Sequence, residues 1–378
     1  MDSIEEFRID VPQADLDDLR DRLARTRWPD QLPETGWDYG IALDDVRELA
    51  EYWRTGYDWR VHERRLNGFP QFTTHIDGQA VHFLHVRSHL PGALPLIMTH
   101  GWPGSIVEFI EVIGPLTDPG AHGGDPRDAF HMIVPSIPGF GFSGPTRERG
   151  WNVNRIARAW DELMRRLGYQ QYGAQGGDWG SSISRELGMI APDHIVGVHL
   201  NTLSPYVARG SEPPDLDDQD RERVERLRRF RLTGSGYGAI QATRPQTVGY
   251  GLTDSPAGQL GWIAEKFGEW TDGGLGAIDR DQMLTNISVY WLTRTAGSSA
   301  RLYYEAARSG GLGPPAHSTA PTGVAVFPAE IAAPVRRLAE QSNRIVHWSE
   351  FDRGGHFAAM EEPDLLVGDV REFFRLFR

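Results

Sequence analysis

The densest chemistry in this chain is the run Gly176-Gly177-Asp178-Trp179-Gly180-Ser181. It follows a short strand-like stretch, Tyr172 to Gln175, and opens a helical one that reaches about Met189. A strand that turns sharply into a helix thrusts one side chain out at the carboxyl edge of a sheet. Only small neighbours on both flanks avoid a clash there, and the usual form of this elbow is Gly-x-Ser-x-Gly with serine as nucleophile. Here Asp178 stands at the serine position. A carboxylate attacks well at a saturated carbon, where an alkyl ester results, and poorly at an ester or peptide carbonyl, where the product is a reactive anhydride. The residue type therefore points to alkyl transfer through a covalent intermediate. The plainer alternative is a glycine-rich turn whose solvated aspartate suits a helix N-terminus. A serine esterase is disfavoured because Ser181 lies three residues past the apex.

Two further runs could serve such a nucleophile. His100-Gly101-Trp102-Pro103-Gly104-Ser105 follows the strand-like stretch Leu94 to Thr99. Backbone N–H groups there and at Trp179 could hold an oxyanion. Pro103 has no N–H, so Trp102 is the natural donor; His100 is expected to be structural. Arg353-Gly354-Gly355-His356-Phe357 comes late in the chain. The order nucleophile, acid, histidine makes His356 the expected base. Glu330, after the run Val326-Phe327-Pro328-Ala329, is the preferred acid, with Asp352, Glu361 and Glu362 as rivals.

The elements that must position these groups are legible as patterns. Phe72 to Ile76 and Val81 to Val86 flank Asp77-Gly78 and read as a hairpin. Strand-like runs at 94–99, 130–134, 172–175 and 195–200 then alternate with helical stretches, among them 153–167. That alternation predicts an α/β chain with a mostly parallel central sheet and helices on both faces. It breaks at about 206. Residues 206–305 are charged, then aromatic-rich, with no clear strand, and strands return at 324–327 and 345–348. The expected organisation is therefore an N-terminal helical extension and first hairpin (1–90), a core (91–205 and 306–378) and a helical cap inserted in it (206–305). In the extension Leu16, Leu19 and Leu23 share one helix face, and Val46, Leu49 and Trp53 another.

Composition narrows the function classes. The chain has 378 residues, 39% hydrophobic, enough for a real core. A net charge of −13 argues against nucleic acid as a partner. There is no cysteine, which removes disulfides, thiolate metal sites and a cysteine nucleophile. The start, MDSIEEFRID, is acidic rather than signal-like, and no window approaches the ~20 apolar residues of a membrane span. A cytoplasmic protein with no membrane association is expected. Lys266 is the only lysine, which reads as coding bias.

Taken together, these motifs resemble the microsomal-type epoxide hydrolases, in a soluble form without the membrane anchor. The resemblance spans nearly the whole chain. It includes the Trp28-Pro29 segment, the HGWPGS and GGDWGS motifs, the end Gly355-His356-Phe357-Ala358-Ala359-Met360-Glu361-Glu362-Pro363, and two cap stretches, 236–247 and 299–305. It implies an α/β-hydrolase fold and two cap tyrosines, Tyr237 and Tyr303, that donate to the epoxide oxygen; the adjacent Tyr304 would point elsewhere on a helix. The matching segment Thr322 to Glu330 favours Glu330 as the acid. No metal or organic cofactor is implied. The expected substrate is an apolar or aryl epoxide, in keeping with Trp262, Phe267, Trp270, Tyr290 and Trp291 in the cap, many of which will be core. The same resemblance reaches proteins that act on epoxides in enediyne antibiotic biosynthesis. The competing readings are a haloalkane or haloacid dehalogenase, which halide release would reveal, and a non-catalytic small-molecule-binding protein on the same scaffold. Oligomeric state stays open, with a homodimer unsurprising.

Overall fold

The computed structural model describes residues 3–206, 216–310 and 315–378. Nine strands form one sheet: β1 (Glu5–Glu6), β2 (Gln71–Ile76), β3 (Gln79–Val86), β4 (Leu94–Thr99), β5 (Phe130–Pro135), β6 (Tyr172–Gly176), β7 (Ile195–Leu200), β8 (Ser318–Val326) and β9 (Asn343–Glu350). Their order is β1-β2-β3-β5-β4-β6-β7-β8-β9. Pairing is antiparallel from β1 to β5 and parallel throughout the rest. The hairpin turns at Asp77 and Gly78, both at positive φ, a conformation that Asp and Gly adopt most readily.

Helices cover both faces of the sheet. Phe373 and Phe377 close over Gly197 on β7, whereas the next residue, Val198, packs on Gly188 of the Asp178–Ile190 helix. Successive strand residues point to opposite faces, so the last helix, Pro363–Phe374, and the Asp178–Ile190 helix lie on opposite sides. Trp160, on the Val153–Arg166 helix, is fully buried, and its indole N–H donates to Thr99 on β4 at 3.1 Å.

Between β7 and β8 the described residues form helices only, from Asp218–Thr233 to Ala296–Arg308. The first of these is charged and mostly solvated, with Val224 and Leu227 buried. The sequence segment ahead of β2 supplies Gln13–Ala24, Leu43–Thr55 and Trp59–Leu66 as helices, with the expected leucines, Val46 and Trp53 buried. This extension does more than lie against the sheet. Tyr52 donates to Asp281 (2.8 Å), Trp53 to Ser288 (3.0 Å), and the Tyr57 hydroxyl meets Thr285 (3.0 Å). All three partners sit on the Arg280–Thr293 helix of the inserted block.

Candidate active site

Asp178 is the first residue of its helix and has φ of 49°. That left-handed conformation is strained for a residue with a side chain and is stored where the surroundings over-determine it. The flanks show why small residues are needed: a Cβ on Gly180 would lie 1.8 Å from the Thr99 carbonyl oxygen on β4. Gly101 likewise lets the 100–105 loop press on Asp178, since a Cβ there would meet Asp178 Oδ1 at 2.4 Å.

The two carboxylate oxygens of Asp178 have different surroundings. Oδ1 accepts the Trp102 N–H at 2.8 Å, and the Trp179 N–H also donates to this carboxylate. Oδ2 faces His356 Nε2 at 3.8 Å. The side chain as a whole is 21% exposed. Burial raises its pKa, against the opposing pull of the His356 charge and the two N–H groups.

His356 sits on a glycine loop after β9. Its Nδ1 lies 3.0 Å from both oxygens of Glu330, which follows β8 and is fully buried. Glu330 also accepts from the Thr202 hydroxyl (2.7 Å) and the Ala332 N–H (3.1 Å). Burial alone would raise the Glu330 pKa; the His356 charge and these donors outweigh it and hold it below the usual range. Burial would lower the imidazole, but Glu330, then Asp178 and Glu108, leave it raised to about 9. The loop is tied to the cap as well: His356 N–H donates to Trp270 O (2.9 Å), and Gly354 N–H to Asp272 (3.0 Å).

The rivals of Glu330 are elsewhere. Asp352 is 90% exposed at its side chain. Glu362 pairs with Arg353 at 2.9 Å. Glu361 accepts from the N–H groups of Asp272 and Phe357 at 2.8 and 2.9 Å. His100 is buried and structural, as expected. Its Nδ1 bonds Gly101 O, and its Nε2 accepts from the Ile137 N–H at 3.2 Å.

Two phenols close the site. The Tyr237 ring stacks on Trp102 with centroids 4.9 Å apart, and the Tyr303 ring meets Trp179 edge-on at 4.8 Å. The two tyrosines stand 5.9 Å apart, ring to ring. Burial first, with the Asp178 charge adding to it, raises both pKa values well above the ordinary phenol range, so both stay protonated and able to donate. Tyr304 points away and stacks under Arg308. Of the cap aromatics, Trp270 reaches the site, 5.0 Å from the His356 ring and 5.3 Å from Tyr237. Phe267 stacks on Phe357, and Tyr290 donates to Gly104 O, both as core.

Sequence reasoning missed three contributors. Thr202 lies just beyond β7 and carried no motif. Glu108 is a lone acid in the apolar run Ile106 to Ile110, which was a signal. Lys266 is more than coding bias: it is 3% exposed, pairs with Glu265 and Glu269, and holds its ammonium 5.0 Å from the Tyr237 ring centre.

Comparison with known proteins adds the family. Residues 4–109 match the family model described as the epoxide hydrolase N terminus, and residues 95–233 the α/β hydrolase fold. A Stigmatella aurantiaca protein named "Putative epoxide hydrolase" is 50% identical over 98% of this chain and 85% of its own length. Epoxide hydrolase 1 of Sus scrofa is 38% identical over 99% of this chain and 89% of its own. The crystal structure of juvenile hormone epoxide hydrolase from Bombyx mori superposes with a TM-score of 0.92 at 33% identity, covering 100% of this chain and 95% of that one. With an elbow aspartate, a buried Glu–His pair and near full-length likeness at these identities, this chain belongs to the epoxide hydrolase family of the α/β-hydrolase fold.

Proposed function

We propose that this chain opens an epoxide to a vicinal diol through an alkyl ester on Asp178, which water activated by His356 then hydrolyses. The observation that carries this reading is the pairing of each phenol with a tryptophan whose backbone N–H holds Asp178: Tyr237 on Trp102, Tyr303 on Trp179. An epoxide oxygen held by the two phenols is thereby set over the carboxylate.

In the first half-reaction Asp178 Oδ2 attacks a ring carbon and the C–O bond breaks. The charge developing on the epoxide oxygen is met by Tyr237 and Tyr303, one of which gives up its proton. The oxygen already bonded to the Trp102 and Trp179 N–H groups is left as the ester carbonyl. In the second, His356 Nε2 takes a proton from water, and the hydroxide adds to the ester carbon. The same N–H pair holds the oxyanion, and Glu330 stabilises the imidazolium. Collapse expels the diol oxygen, which takes the imidazolium proton; the proton left on the Asp178 carboxyl returns to the phenolate through solvent. The aromatic walls suit an apolar or aryl epoxide, and an enediyne-type epoxide of secondary metabolism is one candidate within that class.

His356→Gln tests this. The variant should alkylate but lose base catalysis, worth roughly 10²–10⁴-fold, and intact-protein mass spectrometry should find one substrate mass added at Asp178. Normal turnover by this variant would remove His356 from its role.

A further inference from the structure

One carboxylate at the site takes no part in the steps above. Glu108 lies in the short turn of helix Ile106–Phe109, and its side chain folds back over Gly104, where an added Cβ would fall 1.3 Å from Oε1. The Gly101 N–H donates to it. The Cβ position of Gly101 is pressed on Asp178. A single glycine thus separates two carboxylates. The titratable groups that face Glu108 are His356, Asp178 and Tyr290, and among the described residues the cation acting on it is the His356 imidazolium. Burying a carboxyl without a fixed cation is costly, and such groups concentrate where a site uses them. Burial, with the Asp178 charge adding to it, pushes this one up to about 8.

We propose that Glu108 is a further catalytic residue of the second half-reaction, holding with His356 the water that attacks the Asp178 ester. The proposal rests on the covalent reading above. The water donates one hydrogen to His356 Nε2 and the other to Glu108, which turns its lone pair toward the ester carbon. The first proton moves to His356 as the C–O bond forms. The second stays on the attacking oxygen and ends on the regenerated carboxyl. Esterification also consumes the Asp178 charge that repels Glu108. The attack of Asp178 on the epoxide calls for no such water.

Glu108→Gln keeps the size and the acceptor for Gly101 and removes the charge. Rapid-quench turnover of styrene oxide, read by intact-protein mass, follows both half-reactions. The expected result is alkylation within about twofold of wild type and ester hydrolysis slowed about 10–100-fold, the scale of losing a positioned reactant, so that ester accumulates and kcat and KM fall together. Glu108→Asp, which keeps the charge, should recover part of the hydrolysis rate; if the Gln variant fails to fold by circular dichroism, Asp carries the test, with hydrolysis alone slowed. Hydrolysis at the wild-type rate, or equal slowing of both steps, overturns the proposal. Wild type run alongside separates the two levels: no ester in wild type sinks the covalent reading and this proposal with it, whereas ester in wild type and none accumulating in the variant sinks Glu108 alone.

Discussion

His356 feels burial, which lowers its pKa, and the charges of Glu330, Asp178 and Glu108, which raise it to about 9. In the resting site the imidazole is therefore charged at neutral pH and attracts the Asp178 carboxylate. In the proposed mechanism His356 acts as a base and must be neutral; forming the ester would remove the Asp178 charge, one of the groups that raise the imidazole, and so lower its pKa in the intermediate. Ester hydrolysis measured in single turnover should then rise with pH through an apparent pKa clearly below 9 and level off. An inflection at 9 or above would mean that Asp178 and His356 are not coupled in this way. At this scale the candidate site was partly legible. Asp178, Glu330 and His356 follow from residue type, chain order and flanking glycines. Tyr237 and Tyr303 did not; a tyrosine in a helical block has no local pattern that marks its hydroxyl as aimed at a site, and only the resemblance singled them out. Glu108 meets His356 from the late loop, and Lys266 meets the Tyr237 ring from the Gly236–Thr243 helix, contacts between segments distant in sequence.

The elements position these residues by close approach. The 100–105 loop, the 176–181 elbow and the 353–357 loop all leave the carboxyl ends of strands, where ligands gather in α/β sheets. Gly101→Ala would drive a methyl into Asp178 at 2.4 Å. Overpacking of this kind costs about 1–3 kcal/mol, and here it also displaces the Trp102 N–H. Activity should fall by at least about tenfold with the protein still folded by circular dichroism, and wild-type activity would show the loop to be free to yield. The strands were readable as short apolar runs between turn residues, so each expected strand appears within a few residues of its place. β8 begins at Ser318, ahead of the expected 324, because Thr319, Pro321 and Thr322 break the apolar run while the backbone still pairs with β9. The two-residue β1 gives no periodicity at all and exists by pairing with β2.

Across the whole molecule, the helical block between β7 and β8 is held from two sides. Residues 353–361 bond to its Trp270–Asp272 stretch. The N-terminal helices bond to the Arg280–Thr293 helix through Tyr52, Trp53 and Tyr57. The amphipathic patterns foretold that these helices bury a face, but a pattern does not name the surface it meets. Trp53 is 2% exposed, and a Trp→Ala change at such a position costs about 3–5 kcal/mol. Trp53→Ala should lower unfolding midpoints in urea accordingly; an unchanged midpoint would mean the extension adds little to the stability of the block it covers.

In the proposed reaction the diol oxygen comes from Asp178 and not directly from water. The measurement is a single turnover of styrene oxide in H₂¹⁸O with enzyme in excess, followed by mass spectrometry of diol and protein. The expected result is unlabelled diol in the first turnover, ¹⁸O in the Asp178 carboxylate, and labelled diol only in later turnovers. Labelled diol in the first turnover, with no label in Asp178, would contradict it and would mean that water attacks the ring itself.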